Sequence, residues 1–253
     1  VDRHIIAFGA NILGTNTQDP LLIRFGSQES LTDFTPTATN TAGDIRLSKG
    51  SEIITAVQTS RQILVFTDQS LYSMQFLGAP FTFGVSLLGD NIRISGPNTA
   101  IAVNDVVFWM GQENFYLYDG RIQTIPCSVR DYVFSDMNNQ QSFKFHAGSI
   151  GSQTEIWWFY CSSGVSEIDR YVVYNYGQQV WYYGTLVRTA WNDRASGLRS
   201  FPQATTTDSY LLNHESGLDD ASSGSAVAIN AFIESSDFDI GDGEQFMMVN
   251  RIL

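Results

Sequence analysis

Val107-Phe-Trp-Met110, then Gly111-Gln-Glu-Asn114, then Phe115-Tyr-Leu-Tyr118: this stretch sets four turn-forming residues between two short apolar runs. Runs of four apolar residues bounded by turn chemistry are too short for helices and fit buried strands. Asp119-Gly120 follows, leading into Arg121–Ile125. Asp-Gly between two such runs is the strongest short hairpin signal, because a type I′ turn needs positive φ at both central positions. The stretch therefore predicts an antiparallel meander.

The same layout recurs on both sides. Leu22-Ile-Arg-Phe25 precedes Gly26-Ser-Gln-Glu29 and Ser30-Leu-Thr-Asp33, and Ile63-Leu-Val-Phe66 precedes Thr67-Asp-Gln-Ser70 and Leu71-Tyr-Ser-Met-Gln-Phe76. The runs begin about 41 and 44 residues apart, the length of a four-stranded propeller blade. A looser fourth copy is Glu155-Ile-Trp-Trp-Phe-Tyr160 with Arg170-Tyr-Val-Val-Tyr-Asn-Tyr176, joined through Gly177-Gln-Gln179 to Val180–Tyr183. A fifth is Ser209-Tyr-Leu-Leu212 with Asn213-His-Glu-Ser216, and Ala231–Ile240 reads as further strand. Within Ser128–Gln141, Val129, Tyr132, Val133 and Met137 fall at helical spacing, with Ser128 placed to cap a connecting helix. Thr32–Ser51 and Asp219–Ser225 read as loops. The expected fold is all-β: a propeller-like array of five or six antiparallel sheets with a short connecting helix, forming one domain over residues 1–253. Both ends read as truncated, since the chain opens at Val1 and stops in mid-strand pattern.

Composition narrows the function. Aromatics make up 13% of the chain, favouring pleated, half-buried surfaces. Charged residues make up only 16%, which suits a surface covered by partners better than one facing water. The net charge of −12 argues against tight nucleic-acid binding, which needs clustered cations, but suits a wall past which DNA must slide. Only Lys49 and Lys144 are lysines, and arginine is the cation enriched at interfaces. Arg24, Arg46, Arg61, Arg93, Arg188, Arg194 and Arg199 are accordingly candidate contacts to other chains. Asp68, Glu113, Asp219 and Asp220 fall in expected turns. No stretch approaches the roughly 18 apolar residues of a membrane span.

Chemistry-bearing motifs are sparse. His4, His146 and His214 are far apart, and Cys127 and Cys161 form no C-x-x-C, so no metal, redox or cofactor site is expected. Asp237-Phe-Asp239-Ile-Gly-Asp242-Gly243 departs from a calcium loop at Gly241, Asp242 and Met248. Asp105, Glu113 and Asp119 are the acids a propeller glycosidase could use, but no spacing marks a pair. Trp109, Trp157, Trp158, Trp181 and Trp191 sit in apolar runs and read as core or interface anchors before sugar platforms. No catalytic residue is expected.

Several strings resemble the tail hub and packaged-DNA stabilisation proteins of short-tailed bacteriophages. They are Gly43-Asp-Ile-Arg-Leu-Ser-Lys-Gly-Ser-Glu-Ile53, Ile63-Leu-Val-Phe-Thr-Asp-Gln-Ser-Leu-Tyr72, Asp105-Val-Val-Phe-Trp-Met-Gly111 with Tyr118-Asp-Gly120, Glu155–Tyr160, and Asp169–Tyr176. The resemblance extends over most of Arg3 to Leu253. It implies a non-enzymatic virion tail subunit, assembled in the bacterial cytoplasm into a hexameric ring below the portal or adaptor. That ring would retain packaged double-stranded DNA and then conduct it, without gripping it and without a membrane. A carbohydrate- or receptor-binding tail propeller and a propeller glycosidase are the alternatives.

Overall fold

The computed structural model describes residues 1–193, 201–220 and 225–228. Two compact units are present, Val1–Glu215 and Ser216–Leu253. The described part of the second is a short antiparallel pair, Asp219–Asp220 with Val227–Ala228, so Asp219 and Asp220 lie in a ladder and not in the expected turn.

The first unit is five antiparallel sheets of three or four strands, each a meander whose strands pair in chain order. The first sheet holds β1 (Ile6–Phe8), β2 (Leu22–Phe25) and β3 (Gly43–Arg46). The second holds β4 (Ile53–Gln58), β5 (Ile63–Thr67), β6 (Ser70–Gly78) and β7 (Thr82–Asp90). The third holds β8 (Ala100–Val103), β9 (Val106–Met110), β10 (Phe115–Tyr118) and β11 (Ile122–Ile125). After α1 (Arg130–Asp136) and a 3-10 helix (Asn139–Lys144) comes the fourth: β12 (His146–Ile150), β13 (Glu155–Tyr160), β14 (Arg170–Asn175) and β15 (Val180–Thr185). The fifth holds β16 (Ala190–Asn192), β17 (Gln203–Thr205) and β18 (Leu211–Asn213).

In the first four sheets the apolar runs Leu22–Phe25, Ile63–Phe66, Val107–Met110 and Glu155–Tyr160 fall on the second strands, and side-chain alternation explains why they are continuous in the middle sheets. Strand neighbours point to opposite faces. In β5, Ile63 and Val65 enter a core shared with Ile23 and Phe25 of the first sheet, while Leu64 and Phe66 enter a core with Val107 and Trp109 of the third. In β9, Val107 and Trp109 face back and Phe108 and Met110 face forward into the core of the fourth sheet. In β13, Trp158 meets Phe115 of the third sheet, while Trp157 and Phe159 meet Trp191 of the fifth. A strand covered on both faces needs apolar residues at every position, and each such Leu or Phe contributes about 1.5–3 kcal/mol by leaving water.

The first strands lie beside one another in succession: β1 by β4, β4 by β8, β8 by β12, and β12 by β16. A missing side chain lets β16 lie close on β12. At Gly148 of β12, an added Cβ would stand 2.4 Å from Trp191 Cδ1, so the indole can lie on the strand only where a side chain is missing. Serine–aspartate clamps lock turns to strands. Asp68 accepts from the Ser51 N–H and hydroxyl, both at 2.7 Å, within the second sheet, and Asp169 takes Ser162 in the same way within the fourth. Asp105 of the third sheet accepts from the Ser60 N–H, at 2.9 Å, and hydroxyl of the second. Asp193 reaches from the end of β16 to the Ser149 N–H and hydroxyl on β12, both at 2.7 Å.

Several expectations are corrected. Residues 26–33 form no strand; the third strand of the first sheet is Gly43–Arg46, inside the segment read as a loop. It is hidden in the sequence because only Ile45 of its four residues is large and apolar. Ser209–Leu212 is not the second strand of the fifth sheet but leads into its third, the second being the polar Gln203–Thr205. The connector is two short helices, with Val129 at the N-cap of α1 and no side-chain cap from Ser128. Tyr118 pairs with Ile122, so the Asp119-Gly120 turn has three residues, with Gly120 at φ 122°. Asn175 pairs with Val180 across a four-residue loop. Ala231–Ile240 and the Asp237–Gly243 string lie outside the described residues.

Candidate functional site

Where the first strands converge, a cleft of about 730 Å³ opens. Each sheet from the second to the fifth lends one alanine to its wall: Ala56 of β4, Ala100 of β8, Ala147 of β12 and Ala190 of β16. Polar groups come from Thr55, Asn98, Lys144, His146, Glu167 and Thr189.

These polar groups are largely spoken for. Lys144 Nζ donates to the Ser166 carbonyl at 2.6 Å and to the Glu167 carboxylate at 2.7 Å, so the cleft's cation and its carboxylate neutralise each other. His146 is buried and stacked on Phe159, ring centroids 4.9 Å apart. Its Nδ1 lies 3.2 Å from the Lys144 carbonyl, which assigns the proton to Nδ1 and leaves Nε2 as an unpaired acceptor. Burial pushes its pKa below the ordinary 6.5, keeping the ring neutral. Trp191 touches the cleft, but its rings pack on Trp157 and Phe159 and its N–H donates to Asp193 at 2.7 Å. The cleft is a near-neutral, small-walled space, and none of its side chains pairs a nucleophile with a base.

The other candidate residues are dispersed. Asp105, Glu113 and Asp119 occupy three successive turns of the third sheet, which alternate between its two ends, so Glu113 stands at the opposite end from the other two. Asp105 is held below the ordinary carboxylate range by the Ser60 hydroxyl and amide. His4 packs on Phe76 and Phe83 at the first sheet, far in the chain order of sheets from His146 on β12. His214, after β18, accepts from Arg188 Nε at 2.7 Å. Among the described residues no group of three His, Cys, Asp or Glu is placed to hold a metal, and no helix is long and apolar enough to cross a membrane. Cys127 is half-buried and Cys161 buried, and burial pushes each thiol up to about 11. Trp109 and Trp158 are fully buried.

The arginines are mostly engaged within the chain. Arg46 pairs with Asp19 at 2.6 Å, Arg24 lies 3.7 Å from Asp44, and Arg93 donates to Gln112 at 3.1 Å. Arg188 binds His214 and the Val187 carbonyl, while Arg61 is exposed on the β4–β5 turn near Asp105. Arg194 and Arg199 lie outside the described residues.

Sequence reasoning missed two surfaces. One is the end of the β6–β7 hairpin, with Phe76, Leu77 and Phe81 exposed. The other is a shallow groove of about 580 Å³ between Pro126, Cys127 and Ser128 of the connector and Gln179, Val180 and Trp181 at the start of β15. The signal available was absence of charge: no Asp, Glu, Lys or Arg occurs between Asp68 and Asp90, nor between Arg170 and Arg188. Compared with known proteins, the chain matches no protein-family model and no curated protein.

Proposed function

We propose that the chain is a structural subunit of a bacteriophage tail, a propeller-like array of sheets that joins further copies in a ring around the DNA exit channel below the portal. It acts without catalysis, retaining the genome and then letting it pass. The observation that carries the reading is the serial packing of the sheets. The second strands of the three middle sheets, β5, β9 and β13, are covered on both faces by neighbouring sheets, and each first strand lies against the next. Blades around an axis pack in this way, which is the arrangement implied by the resemblance to tail hub and DNA-stabilisation proteins. The cleft among the first strands is too neutral to supply a repelling wall; in this reading the −12 charge acts from turn carboxylates such as Glu113 instead.

The test combines size and DNA binding. Light scattering and negative-stain imaging are expected to give a ring of several copies, and a gel shift is expected to show no capture of free duplex DNA near physiological salt. Tight duplex binding that collapses as salt rises is the signature of phosphate neutralisation and would overturn the conducting role. A monodisperse monomer at several hundred micromolar would overturn the ring.

A further inference from the structure

We draw no further inference here: the strongest candidate, the cleft of about 730 Å³ where the first strands converge, has its Lys144 and Glu167 neutralising each other and its unpaired acceptor, His146 Nε2, shut off from the open space, so nothing in the structure shows what it would hold.

Discussion

Asp193 accepts three hydrogen bonds, from the Ser149 N–H, the Ser149 hydroxyl and the Trp191 indole, all at 2.7 Å. Replacing it by alanine leaves those donors without their acceptor at the junction of two sheets, so Asp193→Ala is expected to lower stability by about 1–3 kcal/mol in urea unfolding. An unchanged midpoint would show that the clamp contributes nothing. A second expectation at this scale concerns acid. Burial, and then the Arg188 charge, push His214 down to about 4 from an ordinary 6.5. Folded His214 stays neutral where the unfolded chain is protonated, so its contribution is complete above about pH 6.5 and is lost as pH falls towards 4. Buried His146 shifts in the same direction. Asp105 is held low by Ser60; at Asp68 burial opposes the charge, but the Ser51 hydroxyl and amide outweigh it. Both carboxylates therefore protonate below their ordinary 3.8, outside the histidine window. The urea midpoint should decline between pH 7 and 4, and His214→Gln should flatten that decline; an identical slope in the variant would refute the assignment.

At the scale of elements, the second strands of the middle sheets were legible because burial on both faces demands apolar residues at nearly every position, as in Ile63–Thr67 and Glu155–Tyr160, whereas the polar Gln203–Thr205 of the fifth sheet was not. The first strands were not. Ala100–Val103 and His146–Ile150 mix small, polar and apolar residues: Ile101, Val103, Ala147 and Ile150 pack into a core, while Gly148 leaves room for Trp191 of the neighbouring sheet. The same reason hid the cleft, whose wall is made by alanines on strands that local pattern does not distinguish. The Ser60–Asp105 and Ser149–Asp193 clamps were equally invisible, since each joins residues about one repeat apart through ordinary turn chemistry. This contrast can be measured. Leu64→Ala, at a fully buried second-strand position, should cost about 2–5 kcal/mol through lost burial and a cavity. Gly148→Ala adds only a methyl group on a first strand, yet should cost about 1–3 kcal/mol by displacing Trp191. If Gly148→Ala proved neutral, the close packing of β12 against β16 would not be the constraint on that strand.

For the whole molecule, the two accounts of assembly predict opposite responses to salt. The sequence suggested arginines as the contacts between copies, and an interface built on ion pairs weakens as salt screens it, with a Debye length falling from about 30 Å at 0.01 M to about 8 Å at 0.15 M. The structure turns Arg46 towards Asp19 and Arg188 towards His214, while the uncharged hairpin tip and groove remain open. A ring joined through those surfaces would bring together chains of charge −12 and gain its free energy from apolar burial, which screening does not weaken. Added salt then removes only the repulsion. Raising sodium chloride from about 0.01 M to 0.15 M should therefore move half-assembly to lower protein concentration, as followed by sedimentation velocity. DNA binding, were it present, would move the other way over the same range, because it depends on releasing counterions from phosphate. Assembly that dissolves as salt rises would return the interface to the arginines, with exposed Arg61 the first to replace.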